Sequence, residues 1–379
     1  VPGYTGGTET VARELIPELV AAAPDVRFTA FVGREAGADR NAPWGQVIPA
    51  VTVPVSSRNR VEWVRGEQLL LPRLAARAGV DVIHSLANTA PVWGRFRRVV
   101  TIHDLAFRLV PDAHLGMMRF GMATLVPAAA RTAHRVITDA AATAEHLRRL
   151  LKVTPQKIDV VALGLGARHH VTALPEDAVR SRFELGPRPM VLCVAAKRPH
   201  KNLMRLVSAL ASIPGGDRPV LVLPGYRTAY EDELRAKVRE LGIESDVRFL
   251  DWIEPEALEG LYAAAACFVF PSLLEGFGLP VLEAMQRGVA VACSRTGALG
   301  EVAGDAALGF DPESPDAIAS AIERILRDPP ERDRLRAAGR VRVQQFTWAA
   351  TARGTLDSYA RALGRPVASP QSTPLGVTE

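Results

Sequence analysis

Cysteine is scarce in this sequence, with 3 residues in a chain of 379. Cys193, Cys267 and Cys293 each lie inside an apolar segment, and no two of them form a CxxC pair. Disulfide frameworks in small secreted domains use many cysteines, and zinc sites use CxxC or paired-histidine spacing. The sequence therefore predicts neither kind of site, and we interpret all three cysteines as core residues.

Long hydrophobic runs are also lacking. No apolar stretch approaches the roughly 18 to 20 residues that a membrane-spanning helix needs, and no signal segment is evident ahead of the first domain. With 48% hydrophobic and 23% charged residues, the composition is that of a globular protein. We therefore expect a soluble, cytoplasmic protein, and the length suits two domains of about 150 to 200 residues each.

Positive charge is unevenly distributed, because the first 185 residues carry a clear excess of arginine and lysine while the remainder is near balance. The arginine clusters have neither interleaved aromatic residues nor a helix-turn-helix setting, so nucleic-acid binding is not expected. Excess positive charge raises the rate at which a protein encounters anionic partners. It predicts an anionic acceptor or peripheral contact with an anionic membrane at its inner face, with evenly solvated charge as the alternative. The densest clusters are Arg58, Arg60, Arg65, Arg95, Arg97 and Arg98.

Short apolar strands alternate with amphipathic helices, which is typical of parallel sheets in α/β proteins. We expect a first domain over 1–185, a second over 186–345, a last helix over 346–364 and a disordered tail over 365–379, with a Gly- and Pro-rich linker near 164–188. Expected strands are 26–32, 51–55, 80–85, 99–104, 135–138, 158–162, 189–196, 220–223, 247–251, 267–271 and 289–293. Expected helices include 8–23, 61–78, 113–133, 141–151, 229–241, 255–265, 280–287, 316–327 and 331–345.

The stretch from Cys267 to Cys293 predicts a strand, a glycine loop, a helix and a second strand. Glu275 lies on the loop and Glu283 in the expected first helical turn, so both are expected to face the crevice outside the strand ends, where α/β sheets bind ligands. Free N–H groups at the helix start attract phosphate. As alternatives, Glu283 stabilises the helix dipole and Glu275 is a solvated loop charge.

Polar side chains follow two other expected strands. Lys197, Arg198 and Lys201 precede a helix from about residue 202, an unfavourable place for cations by the helix dipole but a suitable one for holding phosphate. A solvated basic loop is the alternative. His103 and Asp104 end the strand 99–104, where α/β proteins often place catalytic groups, with a structural cap or hydrogen-bonded pair as the alternative.

Four motifs occur in a recognisable order: TIHDLAF at 101–107, HKNL at 200–203, FPSLLEGFGLPVLEAM at 270–285 and GDAA at 304–307. The third resembles the signature of family 4 retaining glycosyltransferases, whose hallmark is two glutamates separated by seven residues. The resemblance implies two facing Rossmann-like domains (GT-B), a UDP- or GDP-sugar donor, and a hydroxyl acceptor that is a glycan, a lipid-linked molecule or a small molecule. It implies no cofactor and no metal, and no DxD motif stands where a metal would be needed.

The resemblance also implies roles for individual residues. His103 would line the transferred sugar, Lys201 the diphosphate, Glu275 the donor sugar and Glu283 the ribose hydroxyls, with His103, Glu275 and Lys201 catalytic. The first domain would hold the acceptor, and the last helix would cross back onto it. Other implied donor contacts are Arg198, Gly225, Trp252, Ile253, Gly276, Phe277, Gly278 and Leu279. For Trp252 a place in the core is the alternative.

The glycines near the start of the chain have a weaker signal. Gly6 and Gly7 lead into the first helix, and the resemblance places this loop near donor and acceptor, although a plain turn fits equally well. Because a glycine turn of this kind normally follows a strand, we expect that a first strand is missing ahead of it.

Three positions depart from the family pattern: Ala195 replaces an arginine, Gly166 an acidic residue and Gly300 a proline. These departures leave open a catalytically inactive nucleotide-binding homologue, and a nucleotide-sugar epimerase of the same architecture is a further alternative. A nicotinamide dehydrogenase is not expected, because no GxGxxG motif follows any strand.

Overall fold

A computed structural model describes residues 7–39, 42–56, 58–110, 117–166 and 171–367. The chain divides into two compact units: Val1–Arg108, Leu115–Gly166 and Phe346–Glu379 form the first, and Leu109–His114 with Ala167–Gln345 the second. Gly6 and residues 368–379 of the expected tail lie outside the described residues. No helix in the described part of the chain has the length and apolarity to cross a membrane.

The first unit is built on a parallel sheet of order β3-β4-β5-β6, with β1 and β2 pairing in a separate parallel sheet. Its elements up to the second unit are α1 Gly7–Ala22, β1 Ala30–Val32, α2 Arg34–Ala38, α3 Pro43–Val47, β2 Ala50–Thr52, α4 Arg60–Arg65, a π-helical turn Gly66–Leu70, α5 Leu71–Ala78, β3 Val82–Ser85, β4 Arg97–Thr101, α6 Ala106–Leu109, α7 Met117–Thr132, β5 Arg135–Thr138, α8 Ala141–Leu151 and β6 Ile158–Val160.

The second unit is a parallel sheet of order β12-β11-β10-β7-β8-β9, so the strand order reverses between β7 and β10. This is the doubly wound order of a Rossmann-like fold, and the reversal is where such folds bind ligands. Its elements are α9 Glu176–Arg182, β7 Met190–Leu192, α10 Leu203–Ser212, β8 Val220–Leu223, α11 Tyr230–Glu240, β9 Val247–Phe249, α12 Pro255–Ala264, β10 Cys267–Phe270, α13 Leu279–Gln286, β11 Val291–Ser294, α14 Gly297–Ala303, β12 Leu308–Phe310, α15 Pro315–Arg327 and α16 Pro329–Arg342, after which α17 Trp348–Leu363 returns to the first unit.

The three cysteines lie in the second unit and are all free and buried, which confirms their interpretation as core residues. Cys267 begins β10, and Cys293 lies in β11. Burial raises the pKa of each thiol to about 12. The thiolate form is therefore disfavoured, and these residues act as small apolar side chains.

The helix expected over 61–78 is confirmed as a continuous helical stretch, with a π turn between α4 and α5 that the sequence did not predict. Gly66 opens the π turn against Val55, where an added Cβ would lie 2.6 Å from a Val55 methyl carbon. Pro72 enters α5 as its second residue. Because proline has no N–H to donate, it interrupts the regular hydrogen-bond series at this point.

The linker expected near 164–188 contains a helix, and the second unit begins at Ala167 rather than at residue 186. The helix α9 packs on α12, where Gly260 lies so close to Val179 that an added Cβ would come within 2.5 Å of it. The Leu174 N–H donates to the Glu256 carbonyl at 3.0 Å. These contacts place the segment in the core of the second unit.

The helix α17 is anchored to the first unit through the buried carboxylate of Asp159 in β6. This carboxylate accepts hydrogen bonds from Ser358 Oγ at 2.7 Å and Arg361 Nη1 at 2.8 Å, both on α17, and from the guanidinium of Arg135 in β5. At Gly164 the backbone approaches α17 so closely that an added Cβ would lie 2.2 Å from the backbone nitrogen of Trp348. One charged group thus connects two strands to the last helix.

We predict that Asp159→Ala lowers the free energy of unfolding of the first unit by about 2 to 4 kcal/mol, because two guanidinium groups lose their shared counter-charge. The measurement is urea denaturation of the full chain. Arg353→Ala, at an exposed position of the same helix, is the matched control and should change stability by less than about 0.5 kcal/mol. A loss below about 1 kcal/mol for Asp159→Ala would show that apolar packing alone holds α17.

Candidate active site

In the second unit, the loops that follow β7 and β10 meet at the reversal of strand order. The Leu273 N–H donates to the His200 carbonyl at 2.9 Å. Asn202, in the left-handed conformation with φ of 60°, donates its side-chain amide to the Pro271 carbonyl at 3.0 Å. The two loops are therefore tied together by backbone and side-chain hydrogen bonds.

Lys201 and Glu275 form an ion pair across this point, with 2.6 Å between Nζ and Oε1. Both side chains are largely buried, at 17% and 13% exposure. The ammonium also lies 5.4 Å from the ring centroid of Phe270, within the range of a cation–π interaction. The structure thus brings together two residues that lie 74 positions apart in the sequence, where this fold binds ligands.

The glycine loop after Glu275 leads into α13, which begins at Leu279. Gly278 has φ of 115°, and an added Cβ would lie 2.5 Å from a Leu299 methyl carbon, so only glycine fits this turn. The Phe277 ring is buried at 4% exposure, whereas Gly276 is half-buried. A ligand here would therefore meet backbone groups at the start of α13 rather than the phenylalanine ring.

Glu283 is the fifth residue of α13 and lies beyond the first helical turn where it was expected. Its Oε2 accepts a hydrogen bond of 3.4 Å from the Tyr262 hydroxyl on α12. Burial raises the pKa of Glu283, and the nearby Arg287 charge offsets part of that rise. Because its observed hydrogen bond is to α12, stabilisation of the helix N-terminus does not account for this carboxylate.

The basic loop after β7 divides its cations between two environments. Lys197 is fully buried, and its Nζ donates to the carbonyls of Gly225 and Leu250. Burial lowers the pKa of Lys197 to about 8, although Glu231 and Asp251 act against that shift. The Lys197 ammonium therefore bonds within the protein interior, whereas the Arg198 side chain, on the same loop, is exposed to solvent.

Gly225 lies against the same loop, at the carboxyl end of β8. Its φ is 139°, and an added Cβ would lie 2.2 Å from the Ala195 carbonyl oxygen. The position therefore requires glycine for steric reasons, whether or not a ligand binds. Gly300 is similar, since an added Cβ there would lie 2.2 Å from the Arg295 carbonyl oxygen.

Trp252 follows β9 and is 69% exposed, so it is not a core residue. Its ring stacks on that of Tyr226, with 5.0 Å between centroids and 24° between planes. The Asp251 carboxylate accepts the backbone N–H groups of Trp252 and Arg227, each at 3.2 Å, and so fixes both loops. Ile253 is half-buried beside them. This arrangement leaves an aromatic surface at the carboxyl ends of β8 and β9.

In the first unit, both ring nitrogens of His103 contact acceptors. Nδ1 lies 2.7 Å from Asp139 Oδ2, and Nε2 lies 2.9 Å from the Leu86 carbonyl oxygen. Because a carboxylate and a carbonyl can only accept, both nitrogens must donate and the ring is an imidazolium cation. Burial by itself would lower the pKa of His103, but Asp139 outweighs that effect, and with Leu86 and Asp104 raises it to about 9.

The sequence reasoning missed Asp139, although it follows β5 just as His103 follows β4. The carboxyl group is 2% exposed, and its Oδ1 has no hydrogen-bond partner among the described residues. Burial raises the pKa of Asp139, and His103 opposes that rise. The capping role considered for the His103–Asp104 pair belongs to Asp104 alone, whose Oδ1 accepts the Ala106 N–H at 2.8 Å.

A second acidic residue of the first unit also escaped sequence reasoning. Glu67 lies in the π turn, and its Oε1 accepts a hydrogen bond from Thr89 Oγ1 at 2.7 Å. The neighbouring Asn88 accepts the backbone N–H of His103 at 2.8 Å through Oδ1. Burial raises the pKa of Glu67. π-Helical turns are frequent at functional sites, but this turn is seen only in the folded chain, so no sequence signal marked Glu67.

The remaining expected site residue in the described ranges is Gly7, the exposed first residue of α1. An added Cβ there would meet nothing within 4 Å. In the described ranges, no group of three or more His, Cys, Asp or Glu side chains is placed to hold a metal ion.

We predict that His103 stabilises the folded state below pH 6.5 and that this stabilisation is lost as pH rises through about 9, since its folded pKa lies above the ordinary value. Between these limits the free energy of unfolding should fall by on the order of 2 to 3 kcal/mol. An NMR titration of the ring, assigned with His103→Gln, measures the pKa directly.

In Asp139→Asn, the effect of burial on the pKa of His103 is opposed only by the weaker influences of the Leu86 carbonyl and Asp104. The pKa of His103 should therefore fall below 6.5, and the fall in stability between pH 6.5 and 9 should vanish. Asp357→Asn on α17 makes the same change of charge in the same unit and should leave the titration unchanged. A His103 pKa that stays near 9 without Asp139 would show that the ion pair does not control it.

Comparisons with known proteins show the family of the chain. Residues 176–342 match the model described as glycosyl transferases group 1, and residues 5–166 match glycosyltransferase family 4. O-antigen chain mannosyltransferase B of Escherichia coli is 33% identical over 270 residues, which are 69% of this chain and 70% of that protein. D-inositol 3-phosphate glycosyltransferase of Acidothermus cellulolyticus is 30% identical over 385 residues, 96% of this chain and 77% of that protein.

Among solved structures, Anabaena HepE in complex with UDP-glucose superposes with a TM-score of 0.72 at 20% identity, covering 96% of each chain. Sucrose-phosphate synthase from Thermosynechococcus elongatus gives a TM-score of 0.71 at 24% identity, covering 92% of this chain and 91% of that one. These likenesses show the fold, two Rossmann-like units as in GT-B proteins. The family models and the curated relatives together show that the chain belongs to the family 4, group 1 glycosyltransferases.

Proposed function

We propose that this protein is a retaining hexosyltransferase that moves a hexosyl group from a UDP- or GDP-sugar to a hydroxyl acceptor without a metal ion. The observation that carries the proposal is the Lys201–Glu275 ion pair at the reversal of strand order in the second unit. The nucleotide-sugar donor is further supported by HepE, whose structure contains UDP-glucose, and by the mannosyltransferase among the relatives.

The leaving diphosphate would be stabilised by Lys201 and by backbone N–H groups at the start of α13. Fixed cations and helix N-termini directed at developing negative charge are among the largest contributions to catalysis. Arg198 is the second cation for this role, because its side chain is exposed on the same loop while Lys197 is buried. The charge that a metal ion would neutralise is then covered by the protein.

The sugar would be held by Glu275, whose second carboxylate oxygen can accept hydrogen bonds from its hydroxyls. Both ring N–H groups of His103 are already donated within the first unit. Glu283 would accept the ribose hydroxyls, and the Tyr226–Trp252 surface lies where the base is expected. The bond between the anomeric carbon and the phosphate oxygen breaks while the acceptor oxygen bonds to the same face of that carbon. Because the new bond forms on the face that the diphosphate leaves, the configuration of the anomeric carbon is retained. The acceptor proton passes to the departing diphosphate.

We further propose that the acceptor is anionic or carries phosphate. The first 185 residues have excess basic charge, and a relative matched over nearly the whole chain is named for inositol 3-phosphate.

The experiment is product analysis by NMR with UDP-glucose and GDP-mannose as donors and phosphorylated or neutral polyols as acceptors, with and without EDTA. The proposal expects an α-linked product from these α-linked donors and an unchanged rate in EDTA. A β-linked product or Mg²⁺-reversible loss in chelator would contradict the mechanism. Interconversion of the nucleotide sugar without an acceptor would indicate an epimerase instead, and nucleotide binding without any transfer would indicate an inactive homologue.

We predict that Lys201→Ala lowers kcat/KM by at least about a hundredfold, because the developing diphosphate charge loses its principal cation. Steady-state kinetics with the best donor of the panel measures this. Lys237→Ala is the matched control, since Lys237 lies on α11 of the same unit and pairs with Glu240 on the surface. Activity of Lys201→Ala within a few-fold of the parent would mean that Lys201 only holds Glu275 in place and does not stabilise the leaving group.

A further inference from the structure

The segment of α4, the π turn and α5 presents an outer face that the fold does not use. Its inner face is occupied, since Ala75 forms a core cluster with Ile83 and Phe96, and Leu71 packs against that cluster. An outward-facing apolar side chain on this segment therefore contributes nothing to the core. Exposed apolar residues that gather in one place commonly mark an interaction surface.

Side chains four residues apart form a stripe along this outer face, namely Val61, Arg65, Leu69 and Arg73. Residues at this spacing lie one above the other on a helix. All four are exposed, with Val61 at 79% and Leu69 at 46%. Apolar and guanidinium groups thus alternate along a single line.

Trp93 extends the stripe. Its ring lies 5.8 Å from the guanidinium carbon of Arg73, and Arg73 Nη1 donates to the Leu69 carbonyl at 2.7 Å, so the three side chains are neighbours. The indole Nε1 donates to the Gln68 carbonyl at 2.6 Å, and the side chain is 44% exposed. Because the indole N–H is already bonded within the protein, what Trp93 offers outward is apolar ring.

Carboxylates do not interrupt the stripe. Glu62 receives a hydrogen bond from Arg34 at 3.1 Å and another from the Ser56 N–H at 2.9 Å. Glu67 is held by Thr89 on the inner side. The stripe therefore combines two exposed guanidinium groups with exposed apolar surface.

We propose that this stripe, formed by Val61, Arg65, Leu69, Arg73 and Trp93, docks the first unit on an anionic lipid bilayer. Arginine on such a surface pairs with lipid phosphates, while valine, leucine and the indole ring enter the boundary between headgroups and acyl chains. A soluble polyanion would engage the arginines but gain nothing from the exposed Val61 and Leu69. The combination of the two side-chain types selects the bilayer surface.

The test is sedimentation of the full chain with vesicles of phosphatidylcholine alone or with about one third phosphatidylglycerol, at low and physiological salt. Binding is expected only to the anionic vesicles. The double variant Arg65→Glu/Arg73→Glu should weaken it at least about thirtyfold, as expected for two basic residues at an anionic surface. Val61→Ser/Leu69→Ser should weaken it at least about tenfold, because apolar insertion is lost.

The matched control is Arg131→Glu/Arg149→Glu, which makes the same change of charge at two exposed positions of the first unit and should bind nearly as the parent does. Thermal melting confirms that each variant is folded. Absence of binding to anionic vesicles overturns the proposal, and so does binding that ignores Val61 and Leu69, which would indicate a purely electrostatic surface for polyanions. Since vesicle binding needs no turnover, its failure is distinguishable from failure of the glycosyl transfer.

Discussion

The reversal of strand order between β7 and β10 is the constraint on which the site of the second unit depends. The chain leaves these neighbouring strands toward opposite sides of the sheet, so the edge between them is not closed by a short connection. Here it is bridged instead by the Lys201–Glu275 ion pair and the Leu273–His200 hydrogen bond. A ligand entering this edge therefore meets a cation that is already positioned and largely desolvated, so an anionic ligand would need little reorganisation of the protein.

At the same edge, two lysines on one loop have different environments. Lys197 and Lys201 are four residues apart on one loop, and both are cations expected to suit phosphate. The loop directs Lys197 inward to two carbonyl groups, where it joins the loops after β7, β8 and β9, and directs Lys201 to Glu275. Asn202, which follows Lys201, is in the left-handed conformation, and its side-chain amide donates to two further carbonyl groups.

Sequence patterns predicted elements best where local signals and tertiary packing agree. The strands Arg135–Thr138 and Val220–Leu223 and the helix Ala141–Leu151 occur with their expected bounds. The helix Glu176–Arg182 was missed because its segment is rich in proline and charge, and only packing against α12 makes it part of the core. The strand Leu308–Phe310 was missed because it has three residues with a central glycine, and it depends on pairing with β11.

Motif matching singled out His103 in the first unit and Lys201 and Glu275 in the second as candidates, but it did not predict what each of them contacts. Asp139 lies 36 positions from His103, so their pairing follows from the adjacency of β4 and β5, which no local pattern encodes. The sequence did not show whether Trp252 lies in the core or on the surface, because a single tryptophan is compatible with both positions. Its exposure depends on Asp251 fixing the loop after β9, which is a property of the folded chain.

The two units thus reach a similar electrostatic arrangement by different means. In the first, a buried carboxylate at the end of β5 keeps the ring of His103 cationic at the end of β4. In the second, a carboxylate in the loop after β10 pairs with an ammonium group in the loop after β7. Each cation would be costly to bury alone, and each carboxylate offsets that cost before any ligand binds. At the carboxyl edge of each parallel sheet, the charge of a buried or half-buried cation is thus offset by a carboxylate from the neighbouring strand's loop.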